Sequence, residues 1–226
     1  MKTSDCRAMR VRTKHVALLA LSILFGCDQK MTDGGSGDET STVAFYRADG
    51  RPAAGARVSI YGSSDTGVSP RKQVVTDANG NADLPTPDKG FYNLVVRDRD
   101  GSALFQDSLF SDGLSISATP DTLRATGVLT GRLRVQPQHS PRIAWVQLLG
   151  AGVWVNVDDS GFFRIEGVPA GRFTIAALTR TEGYTPTFAQ VKTISDSTVD
   201  AGTIELVYTG LPVVKNLEAR FDTLAG

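Results

Sequence analysis

In several stretches after residue 43, apolar residues recur at every second position. Ala56, Val58 and Ile60 alternate with Arg57, Ser59 and Tyr61. Tyr92, Leu94 and Val96 form a second such face, Ala144, Val146 and Leu148 a third, and Phe173, Ile175 and Ala177 a fourth. A period of two is that of a half-buried β-strand. No stretch after residue 30 carries apolar residues at helical spacing. The 23 Gly and 10 Pro are spread along the chain, as short strands joined by tight turns require. The pattern predicts an all-β chain of successive small β-sandwiches.

Two blocks repeat. The first runs Ala56–Ile60, then Asp77-Ala78-Asn79-Gly80, then Gly90-Phe91-Tyr92-Asn93-Leu94. The second runs Ala144–Leu148, then Asp158-Asp159-Ser160-Gly161, then Gly171-Arg172-Phe173-Thr174-Ile175. In both, the Asp is followed by Gly at +3, an apolar residue at +7 (Leu84, Ile165), Gly at +13 and an aromatic at +15. The tetrads read as turns, because Asp can bond the backbone ahead of it and Gly accepts positive φ. Between the first strand and the Asp, the first copy is seven residues longer, and the excess falls in the Gly62–Pro70 region. The expected domains are residues 43–123 and 127–208.

The order A-x-V-x-[IL], then D-x-x-G, then G-x-[YF]-x-[LI] resembles the carboxypeptidase regulatory-like domain. Gly167-Val168-Pro169-Ala170-Gly171-Arg172-Phe173 is its most specific part. The first copy departs from it, with Pro85-Thr86-Pro87-Asp88-Lys89-Gly90 where a plainer Pro-x-Gly is usual. The resemblance implies two tandem sandwiches of transthyretin-like or immunoglobulin-like build, each of seven strands. It also implies stalks, spacers or binding modules of envelope proteins, with no peptidase chemistry.

The N-terminus reads differently. Lys2, Arg7, Arg10, Arg12 and Lys14 precede an apolar run from Val16 to Gly26. That run is too short to span a membrane, which takes roughly 20 residues, and it fits a secretory signal peptide over residues 1–26. Leu24-Phe25-Gly26-Cys27 resembles the lipobox of bacterial lipoproteins, with Phe25 replacing the usual small residue. The resemblance implies lipid on the Cys27 thiol, cleavage after Gly26 and fatty acylation, such as by palmitate, of the new amino terminus. Several acyl chains give a stable membrane anchor where one is marginal. Residues 27–42, polar and with Gly34-Gly35-Ser36-Gly37, read as a flexible tether. Asp28 resembles an inner-membrane retention signal of some bacteria, and the leaflet stays open.

After Tyr208-Thr209-Gly210 a new pattern begins. Residues 211–226, with Pro212, Leu217, Ala219 and Phe221, look like the first strand of a truncated fibronectin type III domain. The alternative is a last strand added to the preceding sandwich. The first reading predicts that the natural chain continues.

Charge and composition narrow the function. Lys+Arg and Asp+Glu balance at 24 each, so there is no basic field and nucleic acid is not an expected partner. The cysteines are Cys6 and Cys27, so a processed chain keeps one and forms no internal disulfide. His139 is the only histidine after the leader, and it lies in a Gln/Pro/Ser loop. No Cys/His cluster offers a zinc site, and no phosphate loop is present. Asp77, Asn79, Asn81 and Asp83 are faintly like a calcium loop but read as a hairpin turn, and Arg97–Gly101 reads as a solvated turn. No cofactor, no metal and no catalytic residue are expected.

Trp145 and Trp154 stand out. If Ala144, Val146 and Leu148 face the core, Trp145 faces out; if Val153, Val155 and Val157 face in, so does Trp154. Two outward indoles on neighbouring strands form a platform for sugar rings or a protein partner. Packing against the other domain, or an inverted register, is the alternative. The leading expectation is a lipid-anchored, non-enzymatic envelope protein acting as spacer or binding scaffold. A glycan- or protein-binding adhesin using the Trp face is the second, and the accessory N-terminal part of a longer envelope enzyme the third.

Overall fold

A computed structural model of the protein describes residues 40–210. Cys27 with the leader, most of the tether, and segment 211–226 lie outside the described residues.

The N-terminal half contributes β1 (Thr40–Tyr46), β2 (Arg57–Gly62), β3 (Lys72–Val75), β4 (Asn81–Pro85), β5 (Gly90–Arg97), β6 (Ala103–Ser111) and β7 (Asp121–Thr122). The C-terminal half contributes β8 (Gly127–Arg134), β9 (Ala144–Leu148), β10 (Val153–Asn156), β11 (Phe162–Val168), β12 (Gly171–Thr179), β13 (Tyr184–Thr185), β14 (Thr187–Thr193), β15 (Thr198–Glu205) and β16 (Val207–Tyr208). A single 3-10 turn, Pro141–Ile143, interrupts the strands, and no α-helix occurs among the described residues.

The two halves share one topology. A three-stranded sheet, β4-β1-β7 or β11-β8-β15, faces a four-stranded sheet, β3-β2-β5-β6 or β10-β9-β12-β14. In each half the central strand of the smaller sheet pairs antiparallel on one side and parallel with the closing strand on the other. The protein is therefore all-β, a tandem of two small sandwiches. The strands β13 and β16 form an additional ribbon beside the second.

The repeated tetrads build matching turns. One Asp77 carboxylate oxygen accepts from the N–H groups of Asn79 and Asn81, each at 2.8 Å. Asp158 does the same for Ser160 and Phe162, at 2.8 and 2.9 Å. The following Gly80 and Gly161 have φ of 77° and 78°. Gly161 is needed twice over: a Cβ there would sit 2.1 Å from the Leu133 carbonyl oxygen, which accepts no such approach.

Each sandwich encloses an apolar core. In the first, Phe45, Val58, Ile60, Leu84, Leu94, Val96 and Leu123 are fully enclosed. In the second, Leu129, Leu133, Val146, Leu148, Phe163, Ile165, Phe173 and Ile175 are. This second core does not stop at its own strands. Tyr61, Val95 and Phe105, from the outer face of the first sandwich, belong to it.

That shared face departs from the alternation of the sequence. Ser59 and Tyr61, which the period places opposite the core residues of β2, are buried too, as is Asn93 in β5. Around Tyr61, Asn93, Val95 and Phe105 the four-stranded sheet of the first half is covered on both sides, once by its own core and once by the second half. Polar contacts pin the junction. The Arg97 guanidinium donates to the Gly167 carbonyl at 2.7 Å, and burial pushes its pKa below the usual value. The Gly150 N–H donates to the Asp65 carbonyl at 3.2 Å.

One local expectation changes. The turn Arg97–Gly101 is not wholly solvated: the Asp98 side chain is enclosed and accepts from Arg47 Nε at 2.6 Å and from the Arg99 N–H at 2.7 Å. The closing strand of the second sandwich shifts register between Asp200 and Thr203. Val207 and Tyr208 leave it to pair with Thr185 and Tyr184.

Candidate binding groove

The second sandwich presents its four-stranded sheet outward along β10, β9 and β12. Because side chains alternate across a strand, registry decides which of them share the outer face. Trp154 lies opposite Gln147, and Gln147 opposite Ala176. In the next row of the same face, Asn156 lies opposite Trp145, and Trp145 opposite Leu178. The two indoles are thus diagonal neighbours on adjacent antiparallel strands, within reach of one ligand. Trp154 is 44% exposed and Trp145 is half-buried.

What half-buries Trp145 comes partly from its own sheet. The Arg180 guanidinium stands 6.0 Å from its ring centre and donates to Asn156 Oδ1 at 3.2 Å. Such stacking on an indole is favourable and keeps the cation at the surface. Among the described residues Arg180 has no carboxylate within ion-pair distance. Gln147, between the indoles, is only 3% exposed, and its Nε2 has no hydrogen-bond partner.

The opposite wall is the loop from the first sandwich that makes the first repeat longer. Thr66, Gly67 and Val68 close a groove of about 400 Å³ over Trp145, Gln147, Trp154 and Arg180. Asp65 gives this loop its shape. Its carboxylate accepts from the Gly62 N–H at 2.8 Å and from Arg71 Nε and Nη2 at 2.8 and 2.7 Å. The Arg71 hydrogen bonds are the main cause of a carboxyl pKa held below the usual range, and the same contact raises that of Arg71. The backbone bond from Gly150 to Asp65 then ties the braced loop to the β9–β10 hairpin.

Gly150, Ala151 and Gly152 form that hairpin, with φ of 62° and 65° at the glycines. A Cβ on Gly152 would lie 2.4 Å from the Tyr61 hydroxyl oxygen, and one on Gly150 would lie 2.3 Å from Asn93 Nδ2. Both glycines therefore permit close approach of the two halves as well as a turn. Gln147 shares the period-two face of Trp145 and so carried a readable signal. Arg180 and residues 66–68 reach the groove through strand pairing and packing, which periodicity does not encode.

The other candidates are dispersed. His139 Nδ1 is 2.7 Å from the Tyr184 hydroxyl, and its ring packs edge-on against Tyr184 and Tyr208. Among the described residues its side-chain hydrogen-bond partner is thus a phenol, not the serine or aspartate of a triad. Asp77 is engaged in its turn, and Asp83 accepts from the Thr42 hydroxyl at 2.6 Å. Among the described residues no three His, Cys, Asp or Glu side chains are grouped to hold a metal ion. No helix among them is long and apolar enough to cross a membrane.

No protein-family model matches the chain, and no curated protein matches it by sequence. Solved structures do. A minor pilin of Streptococcus agalactiae aligns at 15% identity and a TM-score of 0.36, over 78% of this chain and 99% of the pilin. A shaft pilin of Lactobacillus rhamnosus GG aligns at 14% identity and a TM-score of 0.28, over 77% of this chain and 100% of that one. A type II cohesin–X-dockerin complex from Acetivibrio cellulolyticus aligns at 16% identity and a TM-score of 0.30, over 41% of this chain and 64% of that one.

Proposed function

We propose that this chain is a lipid-anchored, non-enzymatic protein of the bacterial cell envelope, in which two tandem sandwiches, residues 43–123 and 127–208, act as a spacer and binding scaffold. Both would be domains of the carboxypeptidase regulatory-like kind, a reading supported by seven sheet strands in each half and by the matching turns at Asp77 and Asp158. The observation that carries the scaffold reading is the shared core. Tyr61, Val95 and Phe105 are packed into the interior of the second sandwich. Fully burying an apolar side chain of that size stabilises by roughly 1.5–3 kcal/mol. Three of them, with the Arg97 bond, favour one stiff body over two beads on a string. A stiff body on a flexible polar tether keeps its binding surface within a bounded reach of a membrane.

Anchoring rests on Leu24-Phe25-Gly26-Cys27 behind a basic, apolar leader. Detergent phase partition of the exported protein tests it. The wild type is expected in the detergent phase and Cys27→Ser in the aqueous phase. Equal recovery of both from the aqueous phase contradicts the anchor.

A further inference from the structure

We infer that the groove between the Trp145/Trp154 face and loop 66–68 binds a carboxylate-bearing carbohydrate, such as a uronic acid chain. The inference rests on the reading of the chain as a binding scaffold and gives it a ligand class. Four observations lead there. Two indoles lie on one sheet face, diagonal to each other and partly open. A guanidinium stands beside them without a carboxylate partner among the described residues. A buried amide nitrogen between them lacks any partner. A braced loop from the other sandwich borders the space, an open groove of about 400 Å³.

Each feature selects part of the ligand. The face of a pyranose ring is a flat set of C–H groups, which lies on an indole as other apolar surfaces do. Its edge carries hydroxyls, the complement of an unpaired amide such as Gln147 and of the Thr66 hydroxyl. The burial of Gln147 matters, because an unmade hydrogen bond in an enclosed site is costly until a ligand completes it. Arg180 then distinguishes an acidic sugar from a neutral one, since a fixed guanidinium matches a carboxylate in a bidentate, charge-assisted pair. A peptide is the weaker fit. The backbone groups of β9, between the indoles, are spent on the ladders to β10 and β12, so the floor of the groove offers side chains only.

The protein reports on its own site, because Trp145 and Trp154 are its only two tryptophans. The full chain, held in a detergent without a sugar headgroup, is titrated with a short oligogalacturonate while indole fluorescence is followed. The same oligosaccharide with its carboxylates methyl-esterified is the matched neutral probe. A saturable change is expected with the acid, with affinity roughly tenfold or more above that for the ester, the scale of one lost charge-assisted contact. Arg180→Gln should abolish that difference. Gln147→Leu should weaken binding of both while leaving the thermal unfolding midpoint equal or higher, because it removes a buried unpaired amide. A purely structural Gln147 would instead lower the midpoint on replacement.

Equal response to acid and ester, or an Arg180→Gln protein that keeps the preference, overturns the inference. So does a response only to phosphatidylglycerol vesicles, which would make the face a lipid contact, and so does no response to any probe. The titration does not read lipidation, so its failure is distinct from failure of the anchor, which detergent partition of Cys27→Ser reads alone.

Discussion

Phe105 and Phe173 stack with ring centres 4.2 Å apart and planes inclined by 27°, one ring from each sandwich. Phe173 is 2% exposed and lies in the core with Val146, Leu148 and Ile175. Gly171 makes room for the pair, since a Cβ there would come within 2.8 Å of the Phe105 ring. Removing Phe173 empties a core site and one side of the stack together. Phe173→Ala should cost about 3–5 kcal/mol in denaturant unfolding of the full chain. In a double-mutant cycle with Phe105→Ala, the coupling should be roughly 0.5–1.5 kcal/mol, the range of aromatic pairs. An unchanged midpoint for Phe173→Ala would contradict the register of β12.

Gly152 separates strain from contact. Its φ is 65°, and its missing Cβ is where the Tyr61 hydroxyl sits. Gly202 has φ of 73° and nothing within 4 Å of the corresponding point. Gly202→Ala should therefore cost only the backbone term, about 1 kcal/mol. Gly152→Ala should cost that plus an overpacking term of about 1–3 kcal/mol. Equal losses for the two variants, measured by chemical denaturation, would mean that Tyr61 does not hold its place against the hairpin.

How much of this was readable in sequence depends on what covers each face. Ala144, Val146 and Leu148 point into the core and the other face of β9 carries the groove, so their alternation located Trp145 on the outer surface. In β2 the same alternation placed Ser59 and Tyr61 on the face away from the core. Tyr61 is buried there, as is Asn93 in β5, because a second sandwich supplies the covering, and period two says nothing about a neighbour. The repeat located the Asp77 and Asp158 turns and the extra residues of the first copy. That the extra loop becomes a wall of the groove follows from Asp65, Arg71 and Gly150, whose contacts join segments far apart in the chain.

Acid should loosen the loop. The folded Asp65 carboxyl titrates below its unfolded value of about 3.9, through the hydrogen bonds of Arg71 first. A group depressed in the folded state contributes stability that is complete above the unfolded value and is lost as pH falls through the folded one. The brace is thus intact above about pH 4 and fails at lower pH. Hydrogen exchange of the Gly62 amide, which donates to Asp65, should accelerate there relative to the core amides of β9. Asp65→Asn should show the faster exchange already at neutral pH and remove its acid dependence.

Whether the shared core makes one body of the two sandwiches is read most directly by calorimetry of the full chain. If Tyr61, Val95 and Phe105 lock the halves together, heat unfolds them in a single transition whose calorimetric and van't Hoff enthalpies agree. Phe105→Ala should then lower or split that transition. Two separate transitions in the unaltered protein, or a calorimetric enthalpy well above the van't Hoff value, would show two independent modules and contradict the stiff scaffold.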